Sequence, residues 1–211
     1  CRKEMGKFLA KENNLQADIV IPVPDSGVPA ALGYAEESNI PFDLGIIRNH
    51  YVGRTFIEPT QKIRQLGIKL KHNPNRDLIK GKKVVLVDDS IVRGTTAIKI
   101  IEMIKEAQAS EIHMKISSPP IKYPDYYGID TPRKGELIAS NLSIKEIQHK
   151  LGLNSLQFLS IKGLYNAMGH KNRNDTSPQY TDHCFTGDYP TELTDRDSGN
   201  LLSQLSLLSD N

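Results

Sequence analysis

Apolar residues along this chain fall into two rhythms. Continuous runs at 18–24 (DIVIPVP) and 84–87 (VVLV) have no polar alternation. That is the pattern of strands covered on both faces. In EIHMKISSPP, Ile112, Met114 and Ile116 alternate with polar neighbours; DLGIIRNH gives a strand near 44–48, and LQFLS a short last one. Helical spacing lies between them. Met5, Phe8 and Leu9 share one face, and Ala97, Ile100, Ile101, Ile104 and Ala107 form one stripe. DSGVPAALGYAEESN reads as a turn into a helix, with Asp25 or Ser26 placed to cap it. SIKEIQHKLG opens on a capping box, Ser143 with Glu146 three residues on, and IKGLYNAMG is a final helix. Strands alternating with helices predict an α/β fold with a doubly wound, mostly parallel sheet.

Two stretches break the rhythm. Residues 49–80 are polar and basic with weak periodicity, and are expected to form a long lid loop with one helical turn or a hairpin arm. From Lys171 the chain is rich in Asn, Asp, Ser and Thr, as in an extended tail or mobile wrap. Within it, Leu201, Leu202, Leu205 and Leu208 share a helical face, either a helix for a partner or a short segment that frays or packs locally. The expected division is a domain over 1–170 and an extension over 171–211.

Composition narrows the classes. With 211 residues, 38% of them hydrophobic, the chain is long enough for one sizeable α/β core. A net charge of +2 argues against a dedicated nucleic-acid binder. No apolar window approaches the ~18 residues of a membrane span. Two distant cysteines, Cys1 and Cys184, make no disulfide framework and point to a reducing, cytoplasmic setting. The opening phrase CRKEMGKFLAKENN is helix-like without a preceding cap, as if something upstream had been removed.

Candidate chemistry concentrates in VVLVDDSIVRGTT, residues 84–96. A buried strand runs into two adjacent carboxylates, Asp88 and Asp89, and then into a helix N-terminus. In open α/β sheets ligands bind beyond the carboxyl ends of strands. Backbone N–H groups at a helix start favour an anion. Gly94 lets the backbone come close, and Ser90, Thr95 and Thr96 add hydroxyl donors. The turn therefore suits a phosphate, and the acids suit sugar hydroxyls or Mg²⁺. A ribose 5-phosphate presents both. Two other readings fit less well: a solvated strand end with a helix cap, which leaves two adjacent acids repelling each other, and a receiver domain, whose acidic pair lies near the start of its domain rather than after more than eighty residues.

These thirteen residues resemble the signature of type I phosphoribosyltransferases. PVPDSGVPAALGYAEESNIP, NHYVGRTFIEPTQKIRQLG, ISSPPI, YYGID, ELIAS and FTGDYPTE, in this order, resemble the C-terminal domain of the glutamine phosphoribosylpyrophosphate amidotransferases, to about Glu192. The resemblance implies an enzyme that forms 5-phosphoribosylamine and pyrophosphate from phosphoribosyl pyrophosphate (PRPP) and ammonia, the first committed step of purine synthesis. It also implies Mg²⁺, feedback inhibition by purine nucleotides and a homo-oligomer. A second reading is a non-catalytic PRPP- or nucleotide-binding regulator on the same fold. The family's glutaminase domain is expected to be absent, and Cys1, leading into a helix, is not expected to be its nucleophile. In members with a four-cysteine iron–sulfur cluster, three ligands fall at Asp125, Thr181 and Cys184; one cysteine among these cannot hold it, so no cluster is expected.

By the same resemblance, Asp88 and Asp89 hold the ribose hydroxyls and Mg²⁺. The stretch Ser90, Ile91, Val92, Arg93, Gly94, Thr95 and Thr96 cradles the 5-phosphate, with Arg93 directed either to the phosphate or to solvent. Asp25, Ser26 and Gly27 form a pyrophosphate loop, with Ser26 a further Mg²⁺ ligand. Arg54, Thr55, Phe56 and Lys71 of the lid close over PRPP as the catalytic set, and Arg48 and Arg76 add positive charge. Arg48 and His50 depart from the family's lysine and arginine, and His72 interrupts an aliphatic site.

Overall fold

The computed structural model describes residues 1–49, 72–129 and 131–193. In it β1 (Ile19–Pro22), β4 (Lys83–Asp88), β5 (Glu111–Ile116) and β6 (Ser155–Phe158) form one parallel sheet in that order. Alternate residues of the apolar strands face opposite ways. Ile19, Ile21, Val84, Leu86, Ile112 and Met114 meet α4 (Thr95–Glu106) and α6 (Ile144–Leu151). Val20, Val85 and Val87 meet α1 (Arg2–Glu12), α2 (Val28–Ser38) and α7 (Ile161–Ala167). Helices on both faces make the doubly wound sheet that the alternation predicts.

The strand near 44–48 does not join this sheet. β2 (Ile46–Arg48) pairs antiparallel with β3 (His72–Pro74), Arg48 opposite His72, in a separate two-stranded ribbon. The place beside β1 is taken instead by a single parallel bridge, Val20 to Phe42. After β3, α3 (Arg76–Ile79) is one helical turn capped by Asn75, with Ile79 fully buried. The described end of the 49–80 stretch thus holds both a hairpin arm and a helical turn. It belongs to the body, because Ile79 anchors it in the core.

Two local expectations part company. The capping box of α6 forms as read, Ser143 and Glu146 each bonding the other's backbone. Neither Asp25 nor Ser26 caps α2: its N-cap is Gly27, with no side-chain cap bond. The turn draws Asp25 outward to an ion pair with Arg48 instead.

The described part of the polar extension is pinned rather than loose. Arg173 donates from Nε to Asp182 Oδ2 (2.7 Å) and bonds Asp188 at 2.5 Å. The buried Asp182 also accepts from Tyr165 Oη at 2.9 Å. In α8 (His183–Thr186), His183 Nε2 lies 2.7 Å from Asp125 Oδ2, and its ring stacks on Tyr189. A polar composition without apolar periodicity reads as a tail; here charge-assisted bonds hold it in place of a core. The leucine-bearing segment at 201–208 lies outside the described residues.

Candidate active site

The register of β1 on β4, Pro22 opposite Val87, brings two strand ends to the same carboxyl edge. Val23 N–H donates to Val87 C=O (2.8 Å) and Gly27 N–H to Val23 C=O (3.0 Å). The Asp25–Gly27 turn therefore closes directly over the end of β4. Gly27 is required there: a Cβ would lie 2.8 Å from Val23 O and closer still to Val87 O. The Pro24–Asp25 peptide is cis.

Asp88 ends β4 and is buried, 7% exposed. Its Oδ1 accepts from Asp89 N–H at 2.8 Å, and its backbone C=O accepts from Ser117 N–H at 2.9 Å. Burial pushes its carboxyl well above the usual carboxylate range, and the charge of Asp89 adds to the rise. Asp89 is half-buried, with Ser90 Oγ at 3.4 Å from Oδ1. It also lines a cavity of about 300 Å³ with Ser117, Ser118, Met5 and Tyr165.

The following turn is shaped for an anion. Ile91 tucks into the core, 3% exposed, and Gly94 takes φ +80° as the N-cap of α4. Gly94 offers no side-chain cap, so the first N–H groups of the helix, Thr95 onward, have no intrahelical acceptor. The Thr95 and Thr96 side chains are exposed beside them. Arg93 points outward, its guanidinium 2.9 Å from Glu136 Oε2.

Of the residues singled out in the sequence, Asp25–Gly27, Arg48 and Asp88–Thr96 gather at this edge. Arg48, at the end of β2, donates to Asp25 Oδ2, and among the described residues its buried Nε has no hydrogen-bond partner. Arg76 is exposed at the start of α3, and no described contact ties it to the acidic pair. Arg54, Thr55, Phe56 and Lys71, with His50, lie outside the described residues. Asp125 is engaged by His183. Thr181 is exposed, and burial pushes the Cys184 thiol up to about 11, aided by the Asp125 and Asp182 charges. Among the described residues no three His, Cys, Asp or Glu groups are gathered to hold a metal ion.

Sequence reasoning gave no role to three residues near the site. Ser117 holds the backbone of Asp88, and Glu136 and Ile138 press on the Ser90–Gly94 turn. The motifs ISSPPI and ELIAS marked their positions but not their contacts, which join segments far apart in sequence.

Two neighbouring acids, a glycine-led helix start and a second tight turn thus share one sheet edge. A family model described as a phosphoribosyl transferase domain matches residues 3–117. This chain belongs to that family. It is 60% identical to the amidophosphoribosyltransferase of Rhizobium etli over all of its length, and 52% identical to that of Bacillus subtilis over 91% of it. It spans only 42% and 40% of those two proteins. The solved structure of glutamine PRPP amidotransferase from B. subtilis complexed with ADP and GMP superimposes with a TM-score of 0.82 at 51% identity, covering 92% of this chain and 43% of that one. The phosphoribosyl transferase domain here thus has the type I fold, and the acidic pair and the Ser90–Thr96 turn fall within the matched residues.

Proposed function

We propose that this chain is the phosphoribosyl-transferring part of an amidophosphoribosyltransferase, joining PRPP and ammonia into 5-phosphoribosylamine and pyrophosphate. The observation that carries the reading is the placing of the Asp88–Asp89 pair between two turns, one led by Gly94 and one by Gly27. The carboxylates accept bonds from the ribose hydroxyls. The N–H groups at the start of α4, with Thr95 and Thr96, donate to the 5-phosphate. The Asp25–Gly27 turn and Arg48 face the diphosphate. In the reaction the C1–O bond breaks, its electron pair leaving with pyrophosphate, and the ammonia lone pair forms C1–N before one proton is lost to solvent. Ammonia is already a nucleophile, so no protein base is required. Water must be kept from C1, which assigns the 49–71 stretch, with Arg54, Thr55, Phe56 and Lys71, to closure.

The residues fit Mg²⁺. Burial and its like-charged neighbour Asp89 raise the pKa of Asp88, an electrostatic cost that a bound cation would relieve. Asp88, Asp89 and the Ser26 hydroxyl are the groups that would hold it. When bound, Mg²⁺ neutralises the developing charge of the leaving diphosphate. The ADP and GMP of the B. subtilis structure lead to the further proposal that purine nucleotides compete for the same phosphate turn. Ammonia derived from glutamine in a longer protein, a homo-oligomeric assembly and a cytoplasmic setting belong to the same proposal; no described helix is long and apolar enough to cross a membrane.

The test is pyrophosphate release from PRPP with Mg²⁺ and an ammonium salt at mildly alkaline pH. Release that requires ammonia is the expected result. Asp88→Asn is expected to lower kcat/KM by about 10²-fold, the scale set by loss of one preorganised charged contact. It also removes a buried acid of raised pKa, so its melting temperature should be no lower. PRPP binding without any release would instead support the regulator. Unchanged PRPP binding in Asp88→Asn would remove that carboxylate from the site.

A further inference from the structure

We propose that Ile138 and Glu136 of the ELIAS stretch are positioning residues that set the shape of the phosphate-binding turn. This rests on the proposed function of that turn.

The turn from Ser90 to Gly94 has little of its own to hold it. No side chain caps α4, and the φ of +80° at Gly94 is one that a glycine enters and leaves easily. On the inner side Ile91 is fixed in the core. The outer side is held by one distant segment, residue by residue. Ile138 N–H donates to Val92 C=O at 2.9 Å. The Arg93 guanidinium donates to Glu136 Oε2 at 2.9 Å. Ile138 Cδ1 lies under Gly94, 2.9 Å from where a Cβ would stand. Backbone, charge and packing thus fall on three consecutive residues of the turn.

The segment is stiff enough to serve. Leu137 is fully buried and Ile138 is 5% exposed. Asn141 Nδ2 donates to the carbonyls of Gly135 (2.8 Å) and Leu137 (3.0 Å), and Glu136 N–H to Arg133 C=O (2.8 Å). A four-residue helix, α5 (Ile138–Asn141), follows at once. The arrangement also decides what Arg93 does. Its charge is spent on Glu136, away from the open N–H groups of α4, so the phosphate meets backbone donors and threonine hydroxyls. Glu136 acts on the ligand through Arg93, and Ile138 through Gly94.

The experiment is two double-mutant cycles on the full chain, read with ribose 5-phosphate as the binding probe, PRPP kinetics and thermal melting. In the first, Glu136→Gln is expected to raise the dissociation constant of ribose 5-phosphate, and the KM for PRPP, about three-fold with kcat unchanged, the scale of an exposed ion pair. Glu136→Asp should recover part of the loss. Arg93→Ala should match Glu136→Gln, and the double variant should be no worse than either. Effects that add, or a loss on Arg93→Ala with none on Glu136→Gln, would overturn the role of Glu136. In the second, Gly94→Ala should weaken the same binding, and adding Ile138→Val, which removes only Cδ1, should restore part of both binding and melting temperature. A Gly94→Ala defect indifferent to Ile138→Val would overturn the role of Ile138. If the unaltered chain binds neither ribose 5-phosphate nor PRPP, the proposed function fails; thermal rescue of Gly94→Ala by Ile138→Val still decides whether the buttress exists.

Discussion

Replacing Gly27 by alanine tests whether the two turns must sit where they do. The new methyl would stand 2.8 Å from Val23 O and closer to Val87 O, against the 3.4 Å at which ordinary contacts begin. Both obstacles are backbone, and both belong to hydrogen-bonded strand ends, so no flexible side chain can yield. At least 0.6 Å must be found against Val23 O, and more against Val87 O. The cheaper movement is of the turn, since Asp25 is exposed and Ser26 half-buried, while Val87 is locked between two neighbouring strands. The Asp25–Ser26 turn then lifts away from Asp88 by up to about 1 Å, a misplacement that costs on the order of 10²-fold in rate. Overpacking of this kind costs about 1–3 kcal/mol in stability. Ammonia-dependent pyrophosphate release and a denaturant melt read the two losses. Gly135→Ala is the control, because a Cβ there meets nothing within 4 Å. Gly27→Ala with kcat/KM within about three-fold of the parent would refute the claim that this turn is positioned by contact with β4.

Other predictions concern groups away from the reacting atoms. Lys115 is 1% exposed in β5, with Nζ bonded to Gln157 Oε1 at 2.5 Å and standing over the Tyr34 ring; burial lowers its pKa from 10.5 to about 8. That shift is worth about 3 kcal/mol against the charged form. Lys115→Met removes the penalty but leaves Gln157 without its donor, so a net gain of about 1–2 kcal/mol is expected at pH 7. The penalty is full below pH 8 and fades between 8 and 10.5, so the gain should shrink over that window; a gain constant from pH 7 to 10 would refute it. Asp182→Asn leaves the largely buried Arg173 with weaker partners and should cost about 3 kcal/mol, seen as earlier melting and faster proteolysis beyond residue 170. Its Arg173 partner lowers the pKa of Asp182, so this stability is present above the usual carboxylate pKa and is lost as pH falls through the lowered one.

The sequence determined by itself whatever depends on near neighbours. Apolar runs and helical stripes located β1, β4, β5, β6, α1 and α4, because side-chain periodicity reports which faces are buried. The capping box at Ser143 was legible because both partners lie within four residues. The acidic pair and its turn were legible for the same reason, in one unbroken stretch from strand to helix. Tertiary structure alone decided what joins distant segments. It moved β2 out of the parallel sheet, because Phe42 rather than Ile46 reaches β1. It turned Asp25 from a helix cap into a partner of Arg48, and Arg93 toward Glu136. It tied a polar extension down through Arg173, Asp182 and His183. No local pattern encodes these pairings, because a charge in sequence carries no record of where its partner will be when the chain closes.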